Sequence, residues 1–165
     1  MKKASKILLI IGGILAIIVG IVTAAELLLA AGIESLGGTA MVVLGIVELA
    51  MGGEDYGMAA VYYFLGGGLY YLVAIICLVT AVVLFFLYLL TGIFSLISGG
   101  KKAKMGLNIV TIIFAVLTVF ANFSVFSILV CIIVLLGSIF SIVARNKEKK
   151  EAELAEQQPE VIEVK

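Results

Sequence analysis

The chain has 165 residues, 64% of them hydrophobic and 13% charged, with a mean hydropathy of +1.31. A water-soluble domain is nearer half apolar and a quarter charged, so a soluble globular fold is excluded and the bilayer is the expected surrounding. There is no His, and therefore neither the usual proton-transfer group near neutral pH nor the commonest metal ligand; zinc chemistry, Ser/His/Asp triads and Cys/His nucleophiles fall away, and no cofactor, metal or nucleic-acid partner is expected.

The eleven basic residues form three clusters: Lys2, Lys3 and Lys6; Lys101, Lys102 and Lys104; then Arg145, Lys147, Lys149 and Lys150, with Lys165 at the end. Between Lys6 and Lys101 there is no base, only the acids Glu26, Glu34, Glu48, Glu54 and Asp55. Cytoplasmic loops are enriched in Lys and Arg, so all three clusters belong inside, with an even number of crossings between neighbours. The fold class this predicts is an all-α membrane protein: a left-handed bundle of four transmembrane helices, with a short apolar helix in an acidic outer segment. Both termini are expected to be cytoplasmic.

The first helix is expected over about 6–30, since the uncharged run 7–25 has 19 residues and is long enough to span. Lys2 and Lys3, an apolar stretch and Val22-Thr23-Ala24 before Ala25 also fit a cleaved signal peptide. The apolar character resuming through Leu27–Ala31 favours an uncleaved anchor. Small residues mark one face: Gly13, Ala16, Gly20 and Thr23, with Gly12, Ala16, Gly20 and Ala24 at steps of four.

Residues 31–68 are interrupted by Gly32, Gly37, Gly38, Gly52, Gly53, Gly57 and Gly66-Gly67-Gly68, and read as the outer segment. Within it, 39–51 (TAMVVLGIVELAM) is apolar but short, which suggests a re-entrant, interfacial or capping helix. If it crossed, 56–100 would need two spans with no polar turn between them, so four crossings are favoured over six. Glu48, Glu54, Asp55 and Tyr56 form a possible outer surface for a partner or a cation. Two adjacent carboxylates are few ligands for a divalent ion, and a solvated turn is the plainer reading. Five of the six tyrosines lie between Tyr56 and Tyr71, as an interfacial belt requires. Gly66-Gly67-Gly68 lacks the Lys-Ser/Thr of a phosphate loop and reads as a hinge into the second span, 69–98.

The uncharged run 105–144 has 40 residues, about 60 Å as one helix and twice the ~30 Å hydrocarbon core. It is therefore a hairpin turning at Ala121-Asn122-Phe123-Ser124, with spans of about 104–121 and 124–144. Domain 1–144 is thus membrane-embedded, and 145–165 is a charged cytoplasmic tail whose alternating Glu and Lys extend the last helix as a solvated stalk. Polar and small residues recur at steps of three and four: Asn108, Thr111, Ala115, Thr118 and Asn122; Ser124, Ser127, Cys131, Val134, Ser138 and Ser141; and Ala74, Cys77, Ala81, Leu84, Tyr88, Thr91, Ser95 and Ser98. Helices in lipid associate through close packing and interhelical hydrogen bonds, so these faces, with Gly12, Gly13, Ala16 and Gly20, are the expected packing surfaces. A polar pathway is the alternative. Cys77 and Cys131 are expected to be reduced packing residues.

The opening KASKILLIIGGIL, residues 3–15, resembles the start of small uncharacterised tetraspan membrane proteins of Gram-positive bacteria. That resemblance implies a four-span bundle and no particular activity. The Trp and cysteine pair of claudins and the Cys-Cys-Gly of tetraspanins are both missing from the outer segment. The sequence points to a non-enzymatic subunit that associates with itself or with a membrane-protein partner, set in the lipid bilayer. A small oligomeric channel or carrier for cations or small solutes is the alternative.

Overall fold

The structure, a computed structural model, describes residues 2–51, 54–100 and 105–157. It is all-α: α1 spans Lys2–Met51, α2 Glu54–Ser98, α3 Met105–Ala121 and α4 Val125–Gln157, with no strand among the described residues. By length and composition α1, α2 and α4 can each cross a membrane, while α3 is a shorter apolar helix of 17 residues. Such a set of helices belongs in a bilayer. The chain divides into two compact units, one of Gly20–Phe86 and one of Met1–Val19 with Leu87–Lys165.

Unit Gly20–Phe86 pairs the C-terminal part of α1 with the N-terminal part of α2 as antiparallel arms. The breaks expected at Gly32, Gly37, Gly38, Gly57 and Gly66-Gly67-Gly68 are not there, while Gly52 and Gly53 lie outside the described residues. Residues 31–51, including 39–51, continue α1 without interruption, and Gly66-Gly67-Gly68 lies inside α2 instead of forming a hinge. There is accordingly no separate short apolar helix, and no turn within α1 at which a six-crossing chain could reverse.

The reason lies in where the glycines point. In a water-exposed helix each costs about 1 kcal/mol relative to Ala, but without a Cβ two backbones can approach closely. A Cβ on Gly38 would stand 3.1 Å from the Gly67 carbonyl oxygen, and one on Gly67 would stand 3.1 Å from that of Gly38. One on Gly45 would stand 3.4 Å from the Ala60 carbonyl oxygen. Besides Gly20 and Leu84, the buried residues described in this unit are Ala31, Gly38 and Gly45 on α1 and Ala60, Gly67, Ala74 and Ala81 on α2. Both series advance by seven, and the paired numbers 38/67 and 45/60 share one sum, which sets Ala31 opposite Ala74. The seam is built from one small residue per two turns on each arm.

In the other unit the first turns of α1 pack against the end of α2 and against α4. Leu9 is fully buried. It fills space left by Gly137, whose Cβ would come within 3.0 Å of the Leu9 Cγ, and by Gly99, at 3.5 Å from the Leu9 Cβ. A Cβ on Gly12 would meet Val134 Cγ2 at 2.8 Å, so α1 and α4 also touch at a glycine. Ala16, Ala115, Val130, Cys131 and Val134 form the apolar core between α1, α3 and α4. Ser124 caps α4, its hydroxyl accepting from the Ser127 amide at 3.2 Å. Past Arg145 the helix continues unbroken to Gln157, with Lys147–Glu151 at 3.9 Å and Lys149–Glu153 at 4.0 Å on its exposed surface.

Candidate functional site

The chemistry of this chain is concentrated in the polar core of the unit formed by Met1–Val19 and Leu87–Lys165. Asn108, Thr111, Ala115 and Thr118 sit three, four and three residues apart, one face of a helix, and all four are buried in α3. On α4, Ser127, Cys131, Ser138 and Ser141 are buried, as are Tyr88, Thr91, Ser95 and Ser98 on α2. These faces meet in successive polar layers.

The layer nearest the α3–α4 turn centres on Tyr88. Its hydroxyl is hydrogen-bonded to the Ser127 hydroxyl and accepts from Asn122 Nδ2 at 3.1 Å. Ser127 in turn pairs with the Ser124 hydroxyl at 2.7 Å. One turn further along α3, Thr91 and Thr118 face each other at 3.0 Å. Each also lies within bonding distance of a carbonyl one turn back on its own helix, Leu87 for Thr91 at 2.8 Å and Phe114 for Thr118 at 2.7 Å. A hydroxyl has one proton, so forming the bond between the helices takes one of these protons off its own carbonyl. The next layer has no such conflict. Thr111 donates to the Leu107 carbonyl at 2.8 Å and accepts from Ser98 at 3.0 Å. Ser95 donates to the Leu9 carbonyl at 2.7 Å, which ties α2 to α1. Last, Asn108 Nδ2 donates to the Ser141 hydroxyl at 3.0 Å.

Each such bond between membrane helices contributes about 0.6 kcal/mol on average and rarely above ~1.7 kcal/mol. Their larger effect is on specificity, because a slipped register would strand several hydroxyls where no water can reach them. Most oxygens of the ladder are already committed to one another. Asn108 Oδ1 and the Ser138 hydroxyl are buried and have no partner.

Of the residues singled out from the sequence, Gly12, Gly13, Ala16, Asn108, Thr111, Thr118, Ser127, Cys131 and Ser138 are all buried in this one unit. Gly20 is buried too and opens the other unit. Glu48 is half-buried on α1, whereas the side chains of Glu54, Asp55 and Tyr56 lie outside the described residues. Cys131 is buried, Cys77 is half-buried, and both are free thiols. Among the described residues no three His, Cys, Asp or Glu side chains converge into a group that could hold a metal ion. The residues that sequence reasoning missed are Ala31, Gly38, Gly45, Ala60 and Gly67 of the seam in 20–86, whereas Ala74 and Ala81 stood on the stripe expected for the second span. Their signal, Gly or Ala at every seventh position, is present in the sequence but stands among other glycines that are open to space, such as Gly32 and Gly68.

Comparison with protein-family models, with curated proteins and with solved structures finds no match to this chain.

Proposed function

We propose that this chain is a non-enzymatic, four-span subunit of a bacterial plasma membrane that acts by association, either with further copies of itself or with a larger membrane complex. In this reading α3 crosses along with the three longer helices. Its 17 residues supply about 26 Å of rise, the lower limit for a span. The basic clusters at Lys2–Lys6, Lys101–Lys104 and Arg145–Lys150 then share the cytoplasmic side. Seven-residue spacing in the seam supports a left-handed twist, because a 3.5-residue repeat falls short of the 3.6 of a straight helix.

The observation that carries the proposal is the surface of Gly20–Phe86. Its seam buries only small side chains, so the large ones point away from it: Leu29, Ile33, Leu36, Tyr62, Leu65 and Leu69 are each 64–72% exposed. Two helices cannot bury such a surface between themselves, and contiguous apolar surface of this extent marks contact with lipid or with another protein. Lipid covers only part of it. A helix of 50 residues has a rise of about 75 Å, more than twice the ~30 Å of hydrocarbon. The channel reading has less support, since the hydroxyl faces that would line a pore are buried and spent on one another.

The test is purification from native membrane in a mild detergent, with the mass of the particle measured and co-purifying chains identified. Association predicts a particle heavier than one chain plus detergent, with a fixed stoichiometry. A lone monomer, recovered from native membrane across several mild detergents, overturns it.

A further inference from the structure

We infer that the bundle holds one internal water molecule between Asn108 of α3 and Ser138 of α4. Both residues are 0% exposed, and in each a polar atom lacks a partner: Oδ1 of Asn108 and Oγ of Ser138. Exchanging the amide oxygen and nitrogen of Asn108 does not remove the defect. Oδ1 would then accept from Ser141 and the NH2 group would be stranded instead.

The two orphaned groups lie within one helical turn of the same contact between α3 and α4. Asn108 Nδ2 bonds Ser141 at 3.0 Å, and Ser138 lies one turn before Ser141 on the same buried face of α4. Side chains three residues apart on a helix stand about 5–6 Å from each other. One water making two hydrogen bonds of ~2.8 Å bridges oxygens up to about 5.6 Å apart, a span that a displacement of one helical turn admits. A buried water takes two to four polar partners, and they are available. The water donates one hydrogen to Asn108 Oδ1 and accepts from the Ser138 hydroxyl. Its second hydrogen has a lone pair of the Ser141 oxygen within the same turn.

The guest is neutral because its surroundings are. Residues 105–144 carry no charged side chain, and a cation placed among one amide and a few hydroxyls would lose its hydration with no counter-charge in return. A molecule of water's size that both donates and accepts meets the need.

Two measurements on the full chain in lipid nanodiscs and in crystals decide the matter. With the water present, Ser138→Ala strands both the water and Asn108 Oδ1, and Tm falls by about 2–4 °C. With no water, the same change deletes an unpaired hydroxyl, so an unchanged or raised Tm overturns the inference. Crystallographic density at about 2 Å resolution is expected to show a peak about 2.6–3.2 Å from both Asn108 Oδ1 and Ser138 Oγ, absent in Ser138→Ala. If that position is empty in the unmodified protein, the inference fails even where Tm has fallen.

Discussion

Gly13 and Gly92 face each other so closely that neither could carry a side chain. A Cβ on Gly13 would stand 2.9 Å from the Gly92 carbonyl oxygen, and one on Gly92 would stand 2.8 Å from that of Gly13. The obstacle on both sides is backbone, which cannot rotate out of the way. The approach of α1 to α2 in this unit therefore depends on two hydrogens.

Gly92→Ala is expected to lower Tm in detergent, with an overpacking cost of about 1–3 kcal/mol. Gly32 is also inside a helix, but a Cβ there would meet nothing within 4 Å. Gly32→Ala should be neutral, or stabilising by up to about 1 kcal/mol through helix propensity alone. Equal effects from the two changes would mean that close approach does not set Gly92 apart from Gly32.

The seam makes a parallel prediction for the other unit. Gly67→Val sets a branched side chain against the Gly38 carbonyl oxygen at 3.1 Å and Val42 Cγ2 at 3.0 Å. The arms are expected to separate, and amide hydrogen exchange over 31–45 and 60–81 to quicken. Gly68→Ala, one residue on and open to space, should leave exchange unchanged. Indifference to Gly67→Val would show that the arms do not rely on contact at this position.

Tyr88→Phe removes the hydroxyl that links Asn122 to Ser127. Because the site is buried, thermal unfolding should register a loss of roughly 1 kcal/mol. Tyr71 also bonds another helix, its hydroxyl meeting that of Thr39 at 2.8 Å, but this contact is exposed. Tyr71→Phe should cost distinctly less. The reverse order would place the main polar constraint in the arms.

Topology is open to thiol labelling in intact cells, on a background of Cys77→Ala and Cys131→Ala. The four-span proposal expects Lys102→Cys and Gln157→Cys to be shielded from a membrane-impermeant reagent and Asp55→Cys to react. Labelling of Lys102→Cys from outside would sink it.

The tail should contribute little to the bundle. Lys147–Glu151 and Lys149–Glu153 have side chains 60–80% exposed, and such pairs are weak and screened by salt. Ending the chain after Glu148 should leave Tm within about 1–2 °C of the full-length value; a larger drop would show that the helix beyond Glu148 stabilises the bundle.

Asn108, Thr111, Ala115 and Thr118 show how far sequence alone reaches. Their spacing follows from 3.6 residues per turn, a property of one helix in isolation, so the face they share is legible without any neighbour. The extent of apolar character and the turn at Asn122 are likewise local. Tyr88 illustrates the limit: its place on a stripe is visible in the sequence, but its bonds to Ser127 and Asn122 are contacts between helices. Glycine marks the limit more sharply. Judged one by one on the propensity of Gly in water, Gly38 and Gly67 suggest breaks, yet α1 and α2 run straight through them. What decides is the residue facing each one. Gly38 meets Gly67 and Gly45 meets Ala60, so the missing side chains become the means by which two backbones touch. Helical periodicity repeats along one strand of sequence and can be read there; close packing between distant segments exists only once they have been brought side by side.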